Sequence, residues 1–261
     1  MTTPLASLPS LAGKRGIITG LANAQSIAYG CAQALHSAGA ELILSYGHAK
    51  SEPHVRPLAA ALGDAPLLFC DVRVEDQVSA LFAEAQQRWG RLDFVIHSMA
   101  FAPRADLHGR VVDASRAGFL EAMDISCYSF LHLAREAEPL MTEGGCLLTM
   151  SYYGAEKMVD HYGIMGPVKA ALEASVRYLA TELGPEGIRV HAISPGPIAT
   201  RAASGIQQFE QLLQHASHRA PIQRLVSIED VGATACFLIS DAAAALTGMT
   251  TYVDGGLHSR A

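Results

Sequence analysis

Three tyrosines and one lysine occur close together in the second half of the chain. Tyr152, Tyr153 and Tyr162 follow an apolar segment, and Lys169 lies in the first turns of the helix predicted next. An ammonium group near a phenol favours the phenolate, so this lysine can lower the pKa of a neighbouring tyrosine. Such a phenol can donate a proton or stabilise a developing oxyanion near neutral pH. We therefore expect the catalytic centre here.

The elements that must position these residues alternate between short apolar strands and helices. This alternation predicts an α/β fold, a single-domain Rossmann-type doubly wound parallel sheet with flanking helices. Without a repeat or linker, residues 1–261 are assigned to one domain. The predicted strands cover residues 15–19, 41–46, 67–70, 94–97, 146–150, 189–193 and 250–253, and the predicted helices cover residues 26–38, 57–62, 75–88, 115–141, 162–183 and 228–239.

Ligands of such a sheet bind beyond the carboxyl ends of its strands. The first strand is followed by Gly20 and a long turn to Ser26 and Ile27 at a helix N-terminus, which favours a pyrophosphate. The usual G-x-G-x-x-G spacing is absent, so a plain turn with Ser26 as N-cap remains an alternative. After the third strand, Asp71 could accept a hydrogen bond from an adenine amino group or act as an ordinary N-cap.

The loops after two further strands also have residues that could contact a dinucleotide. Small residues around Met99 would let a flat cofactor ring approach the backbone, and Thr200, in a loop shaped by glycine and prolines, could bind a carboxamide or phosphate. Each signal is ambiguous alone. Their joint position at consecutive strand ends predicts a dinucleotide-binding site.

The composition excludes several classes of protein. Apolar residues make up 50% and charged residues 17% of the chain, which indicates a packed globular protein. The net charge of −6 gives no support for a nucleic-acid partner. Five cysteines without a CxxC pattern predict reduced core thiols in a cytoplasmic protein. We expect no signal peptide and no membrane span. His215 and His218 lack a third ligand, so no metal site is expected.

From about residue 12 to residue 256, the chain resembles the enoyl-acyl-carrier-protein reductases of bacterial fatty-acid synthesis, a divergent branch of the short-chain dehydrogenase/reductase superfamily. The resemblance rests on the motifs TGLANAQSIAYG, CDV, HSMAFAP, SYYGAEK, HYGIMGPVKAALEASVRYLA, GPEGIRVHAISPGPI, RAASGI and VDGG. Its most specific feature is the six residues between Tyr162 and Lys169, where the wider superfamily has three. Tyr153 and Lys157 have that shorter spacing, but the alanine-rich helix and the IRV-x-x-ISPG run follow Lys169 instead.

The resemblance implies that the chain transfers hydride from NADH to a trans-2-enoyl thioester on acyl carrier protein. It implies that Tyr162 is the catalytic tyrosine, that Lys169 binds the nicotinamide ribose and that Tyr152 lies beside the acyl chain. It also implies a substrate lid at residues 198–219 and a homotetramer built on the helices at 115–141 and 162–183. The remaining implied contacts are Ala102 with the thioester, and Gly20, Ser26, Ile27, Asp71, Val72, Met99, Ile198 and Thr200 with the cofactor.

Two departures from the family pattern leave alternatives open. Where relatives carry basic residues near the lid, this chain has Gln207, Glu210 and Gln211. Either the basic patch has moved, or the enzyme serves a different carrier or a coenzyme A thioester. After the second strand, Gly47-His48 provides no arginine for a 2′-phosphate, so NADH is favoured, while His48 and Lys50 keep NADPH possible.

Two functions from other classes are alternatives. A carbonyl- or alcohol-specific short-chain dehydrogenase would need the three-residue tyrosine–lysine spacing and an active-site serine, and that spacing occurs only at Tyr153 and Lys157. A dinucleotide sensor without catalysis would not need Tyr162 or Lys169, and both are present.

Overall fold

The computed structural model describes residues 8–200 and 209–260. Within these ranges, seven strands form one sheet in the order β3-β2-β1-β4-β5-β6-β7, and every neighbouring pair is parallel. The prediction of a Rossmann-type doubly wound sheet is confirmed. The strand order reverses between β1 and β4, which is where such sheets bind ligands. The strands are β1 Arg15–Thr19, β2 Glu41–Tyr46, β3 Leu67–Phe69, β4 Phe94–His97, β5 Gly145–Met150, β6 Ile188–Pro195 and β7 Met249–Val253.

Helices cover both faces of the sheet because successive strand side chains point to opposite sides. Ile17 packs on the face covered by α3, α6 and α7, whereas its neighbour Ile18 packs on the face covered by α1, α2 and α9. The core is therefore two apolar layers separated by the sheet. The helices are α1 Ile27–Ser37, α2 Glu52–Ala60, α3 Glu75–Trp89, α4 Arg104–His108, α5 Arg116–Met123, α6 Ser129–Ala137, α7 Met165–Leu183, α8 Phe209–Arg219 and α9 Ile228–Ile239.

The helix predicted over residues 115–141 is present as an unbroken helical run over residues 116–140, but it is not α-helical throughout. A π-helical turn, Asp124–Tyr128, separates α5 from α6. The Ser126 hydroxyl in this turn accepts a hydrogen bond from the Phe101 N–H at 2.9 Å and donates one to the Phe101 carbonyl at 3.1 Å. The irregular turn thus joins the helix to the segment after β4. Such turns often occur at functional sites.

Two predicted helix starts also need correction. The helix predicted over residues 162–183 begins at Met165, because His161 and Gly163 have left-handed backbone angles, with φ of 61° and 49°. Tyr162 is therefore a loop residue. The helix predicted from residue 57 begins at Glu52, with Pro53 in its first turn, where a missing N–H has no cost. The short helix α4 was not predicted.

The first and last long helices on one face approach each other closely through glycine. A Cβ atom on Gly30 of α1 would overlap the backbone of Ile228 at the start of α9, and one on Gly232 would overlap the carbonyl oxygen of Gly30. All five cysteines lie within the described ranges, buried and without a disulfide. Of the described helices, none is both long and apolar enough to cross a membrane.

Candidate active site

A cavity opens at the carboxyl ends of β1, β4, β5 and β6. Ten of the residues that the sequence predicts for the site line this cavity. Its wall also includes Leu107, Met165 and Leu212, which sequence reasoning missed because apolar side chains carry no chemical signal. The ten are Gly20, Ser26, Ile27, Met99, Ala102, Tyr152, Tyr162, Lys169, Ile198 and Thr200.

Tyr162 is held in a loop of unusual backbone geometry. It lies between the left-handed residues His161 and Gly163, and its ring packs so close to Gly154 that a Cβ there would lie 2.7 Å from Tyr162 Cδ1. A Cβ on Gly163 would overlap the carbonyl oxygen of Leu107 in α4. Non-glycine residues in this conformation are strained and persist where the surrounding structure holds them. The fold therefore fixes the position of the Tyr162 ring.

The expected lowering of the tyrosine pKa is wrong for this structure. Burial raises the pKa of Tyr162, and the charge of Glu173 raises it further. Burial removes the phenolate from water and the negative charge of Glu173 repels it, so both effects disfavour the charged form. Tyr162 is therefore a protonated phenol, a group that donates a hydrogen bond.

Lys169 lies in the second turn of α7 and is 3% exposed. Its Nζ donates a hydrogen bond to the backbone carbonyl oxygen of Met150, the last residue of β5, at 2.6 Å. Burial lowers the pKa of Lys169 to about 8, although Cys127 and Glu173 oppose this shift. Two of the three ammonium donors remain for other groups in the cavity.

Glu173 is a buried acid that sequence reasoning missed. It lies one helical turn beyond Lys169, so the two side chains share one face of α7. Ser151, directly after β5, donates a hydrogen bond from Oγ to Glu173 Oε1 at 2.5 Å. Burial raises the pKa of Glu173. In the sequence, the four-residue spacing between Lys169 and Glu173 could have indicated that both lie on the same helix face.

Tyr152 lies beside Tyr162 with an unsatisfied hydroxyl. The two ring centroids are 4.9 Å apart at an interplanar angle of 62°, and the Tyr153 ring also packs edge-on against Tyr152, with a centroid distance of 4.9 Å. The Tyr152 hydroxyl is buried and has no hydrogen-bond partner among the described residues. Since buried polar groups are nearly always paired, this hydroxyl favours a ligand with a polar atom.

The loop between β1 and α1 forms a concave backbone surface. Gly20 has φ of 89°, and a Cβ on it would overlap the Ser98 carbonyl oxygen. Ser26 occupies the N-cap position, but its hydroxyl donates to the Asn23 carbonyl at 2.7 Å and does not cap the helix. The first N–H groups of α1 thus lack a side-chain cap, and such groups bind anions.

Asp71 and Val72 lie outside the cavity lining, at the end of the edge strand β3. Asp71 binds the Arg73 guanidinium, with Oδ2 2.7 Å from Nη2 and Oδ1 3.0 Å from Nε. Arg73 therefore holds the pKa of Asp71 below its ordinary value. The alternative of Asp71 as an N-cap is wrong, because Val74 occupies that position of α3. A carboxylate keeps acceptor capacity beyond two bonds, so adenine recognition remains compatible.

Of the two tyrosine–lysine pairs, only Tyr162 and Lys169 line the cavity. Tyr153 lies in a short 3-10 turn, Tyr153–Ala155, Lys157 is exposed, and neither lines the cavity. Tyr162 and Lys169 are both buried in its wall. Across the described ranges, no three histidine, cysteine or acidic side chains lie close enough to hold a metal ion.

The two departures from the family pattern lie near α8 and after β2. Glu210 and Gln211 are exposed on α8, while Gln207 lies outside the described residues, as does part of the expected lid. His48 is exposed after β2, and its Nδ1 accepts a hydrogen bond from the Lys50 N–H at 3.1 Å.

Comparison with known proteins gives one consistent result. Residues 20–258 match the family model described as enoyl-(acyl carrier protein) reductase. The chain is 49% identical over 247 residues to the enoyl-[acyl-carrier-protein] reductase [NADH] 1 of Rhizobium meliloti, covering 95% of this chain and 91% of that protein.

Two solved structures are also similar. The Anaplasma phagocytophilum enoyl-(acyl-carrier-protein) reductase in complex with NAD superposes with a TM-score of 0.92 at 47% identity, covering 97% of this chain and 98% of that one. The Bacillus cereus reductase with NADP⁺ and indole naphthyridinone has a TM-score of 0.94 at 46% identity, with coverage of 97% and 100%.

Proposed function

The chain belongs to the enoyl-acyl-carrier-protein reductase family, and we propose that it reduces trans-2-enoyl thioesters on acyl carrier protein with NADH in fatty-acid synthesis. The observation that carries this proposal is the burial of Tyr162 and Lys169 in one cavity, at the ligand-binding edge of the sheet. Relatives at 49% and 48% identity bear the name enoyl-[acyl-carrier-protein] reductase [NADH].

The residues of the cavity fit a nicotinamide dinucleotide. The uncapped N-terminus of α1 and the concave backbone at Gly20 suit the pyrophosphate. We assign Lys169 to binding of the nicotinamide ribose and Met99 and Ile198 to contact with the nicotinamide ring. Thr200 is assigned to a hydrogen bond with a carboxamide or phosphate. Ser26, Ile27, Asp71 and Val72 complete the proposed contacts. No arginine directly follows Gly47, which favours NADH over NADPH.

NADH, when bound, supplies the hydride that adds to the β-carbon of the enoyl thioester. Negative charge then develops on the thioester oxygen, and we assign to the Tyr162 O–H the hydrogen bond that stabilises it. A neutral phenol is the form that this bond requires, in keeping with the raised pKa of Tyr162. Lys169 binds the ribose and so fixes the distance between the reacting atoms. A proton from solvent then adds to the α-carbon of the resulting enolate, which gives the saturated thioester.

Tyr152 and Ala102 are assigned to the substrate. The unpaired Tyr152 hydroxyl offers a second hydrogen bond to the substrate, and Ala102 provides a small apolar contact beside the thioester. Closure of a lid at residues 198–219 would exclude water from the cavity.

We further propose a single domain, a homotetramer and a cytoplasmic location. Four large side chains on α5, α7 and the π-helical turn support an interface there: Phe119, Leu120, Tyr128 and Tyr178 are 38%, 56%, 50% and 73% exposed. The buried unpaired cysteines are typical of a reducing compartment. Light scattering of the purified protein tests the tetramer.

The function is tested with NADH deuterated at the transferable position and with enoyl thioesters, ketones and alcohols as substrates. We expect one deuterium at the β-carbon of the saturated thioester and no reaction with the ketones. Turnover of ketones alone would favour a carbonyl reductase. NADH binding without turnover of any substrate would favour a dinucleotide sensor.

A further inference from the structure

The described part of α8 carries little positive charge on its surface. Leu212 lines the cavity, so α8 borders the site. The exposed residues Glu210, Gln211 and Gln214 carry one negative charge, and the exposed His215 and His218 follow toward the C-terminal end. Arg219, at its C-terminal end, is the only lysine or arginine in α8. An acidic partner would gain little electrostatic attraction along this helix.

Residues 104–116, which run from α4 to the start of α5, have the opposite character. Arg104, Arg110 and Arg116 are all exposed. Of the two acids in this segment, Asp106 is buried and accepts hydrogen bonds from the Ser115 N–H at 2.6 Å and Oγ–H at 3.1 Å. Asp113 is exposed and pairs with Arg110 at 3.4 Å. Exposed pairs like this are weak, so Arg110 can exchange Asp113 for a carboxylate of a partner.

The centre of this segment is apolar. Val111 and Val112 are 53% and 76% exposed, in a short 3-10 turn between the arginines. Apolar side chains surrounded by charged ones are typical of protein–protein interfaces. We call residues 104–116 the arginine surface.

The arginine surface adjoins the catalytic cavity. Leu107 of α4 lines the cavity, as does Ala102 just before it. The close approach of Gly163 to the Leu107 carbonyl joins α4 to the loop that carries Tyr162. A partner bound at the arginine surface would therefore lie beside the cavity and could deliver a tethered thioester into it.

We propose that acyl carrier protein, an acidic partner, docks on the arginine surface rather than along α8. This inference rests on the proposed function, since it presumes a carrier-bound substrate. It is compatible with the acidic Glu210 and the neutral Gln211 on α8 and requires no different substrate class. Opposite charges on the two partners would speed their association and make it depend on salt.

The test compares one enoyl chain on two carriers, acyl carrier protein and uncharged N-acetylcysteamine. In the triple variant Arg104→Glu, Arg110→Glu and Arg116→Glu, we expect KM for the carrier-protein substrate to rise about tenfold or more at low salt. We expect kcat/KM for the N-acetylcysteamine substrate to stay unchanged, which also verifies that the variant is folded. The rise of the wild-type KM with salt should be largely lost in the variant.

Two matched controls locate the effect. Arg88→Glu reverses an exposed arginine on α3, and the pair Gln211→Glu with Gln214→Glu adds negative charge to α8. Both should leave KM for the carrier-protein substrate within about twofold of wild type. An unchanged KM in the triple variant, or a larger rise in the α8 variant, would overturn the docking surface alone. A wild-type protein that reduces neither thioester would overturn the proposed function as well.

Discussion

The Lys169 ammonium donates a 2.6 Å hydrogen bond to the backbone carbonyl oxygen of Met150, the last residue of β5. This bond joins α7 to the carboxyl end of the strand beside the central strand β4. It places a buried cation in the wall of the cavity that also contains Tyr162. Burial lowers the pKa of this lysine, so its charge changes within the working pH range of the protein.

NADH affinity should depend on the charge of Lys169. Burial lowers the pKa of Lys169 to about 8, so the ammonium is charged below that pH and neutral above it. The neutral amine keeps two N–H donors but loses its charge, so its hydrogen bonds to the Met150 carbonyl and to the ribose would be weaker. We expect the Kd of NADH to be constant near about pH 7 and to rise toward about tenfold per pH unit above the pKa. Fluorescence titration measures this.

Lys169→Met is the control for that titration. It should bind NADH more weakly at every pH and show no inflection near the pKa of the lysine. A wild-type Kd that stays flat well above about pH 9 would contradict the assignment of Lys169 to the ribose.

Glu173 should influence the pH at which the affinity for NADH begins to fall. Its negative charge raises the pKa of Lys169 and so opposes the effect of burial. In Glu173→Gln the charge is lost, and a side-chain oxygen remains to accept the Ser151 hydrogen bond. We expect the inflection of NADH affinity to move to lower pH. Glu182→Gln, an exposed position on the same helix, should leave it unchanged. Equal inflections in both variants would count against a role for Glu173.

The sequence predicted the sheet well because its strands are short, apolar and regularly spaced. β1, β2, β4 and α9 have the predicted bounds. The π-helical turn between α5 and α6 was not predictable from periodicity, because the Ser126 hydroxyl in it bonds the backbone of Phe101, twenty-five residues away in the chain. The start of α7 at Met165 depends on left-handed angles that a residue such as His161 seldom adopts.

At the site, residue types and spacing located Tyr162 and Lys169, but not their protonation. The sequence predicts that a lysine lowers the pKa of a tyrosine, whereas burial reverses the direction for Tyr162. Depth of burial is a property of the folded chain, so it does not appear in the spacing. For the same reason, Glu173 could be noticed as a neighbour of Lys169 on one helix face but not recognised as buried.

The close contact between α1 and α9 should make Gly30 sensitive to substitution. A Cβ in Gly30→Ala would overlap the backbone of Ile228, which can move only with α9. We expect the free energy of unfolding to fall by about 1–3 kcal/mol, measured by chemical denaturation. The control is Gly184→Ala, where a Cβ meets no atom within 4 Å and φ is −57°. Similar losses in both variants would contradict the packing argument.

Acid should destabilise the protein through two buried histidines. Burial lowers the pKa of His97 to about 3 and that of His191 to about 4. Both nitrogens of His97 are engaged, with Thr149 Oγ1 at 2.7 Å and Ser129 Oγ at 2.8 Å. An unfolded histidine takes up a proton below its ordinary pKa of about 6.5, whereas these two do not while folded. Unfolding therefore takes up protons, and stability falls as pH decreases.

Between about pH 6 and about pH 4.5, we expect the free energy of unfolding to fall by about 1.4 kcal/mol per pH unit for each of the two histidines. Denaturation series at several pH values measure this slope. His191→Asn should reduce the slope by about 1.4 kcal/mol per pH unit, which is the contribution of one proton. A slope that is identical in the variant would show that His191 titrates normally in the folded state.

The central claim is that the Tyr162 hydroxyl stabilises the charge that develops on the thioester. Tyr162→Phe removes this hydroxyl and keeps the ring, and Tyr153→Phe is the matched control on the neighbouring phenol. The decisive measurement is kcat with an enoyl thioester beside the Kd of NADH for both variants. We predict that Tyr162→Phe lowers kcat by about 10²–10³-fold with the Kd of NADH unchanged, while Tyr153→Phe retains wild-type turnover. Wild-type kcat in Tyr162→Phe, with loss of turnover in Tyr153→Phe, would contradict it.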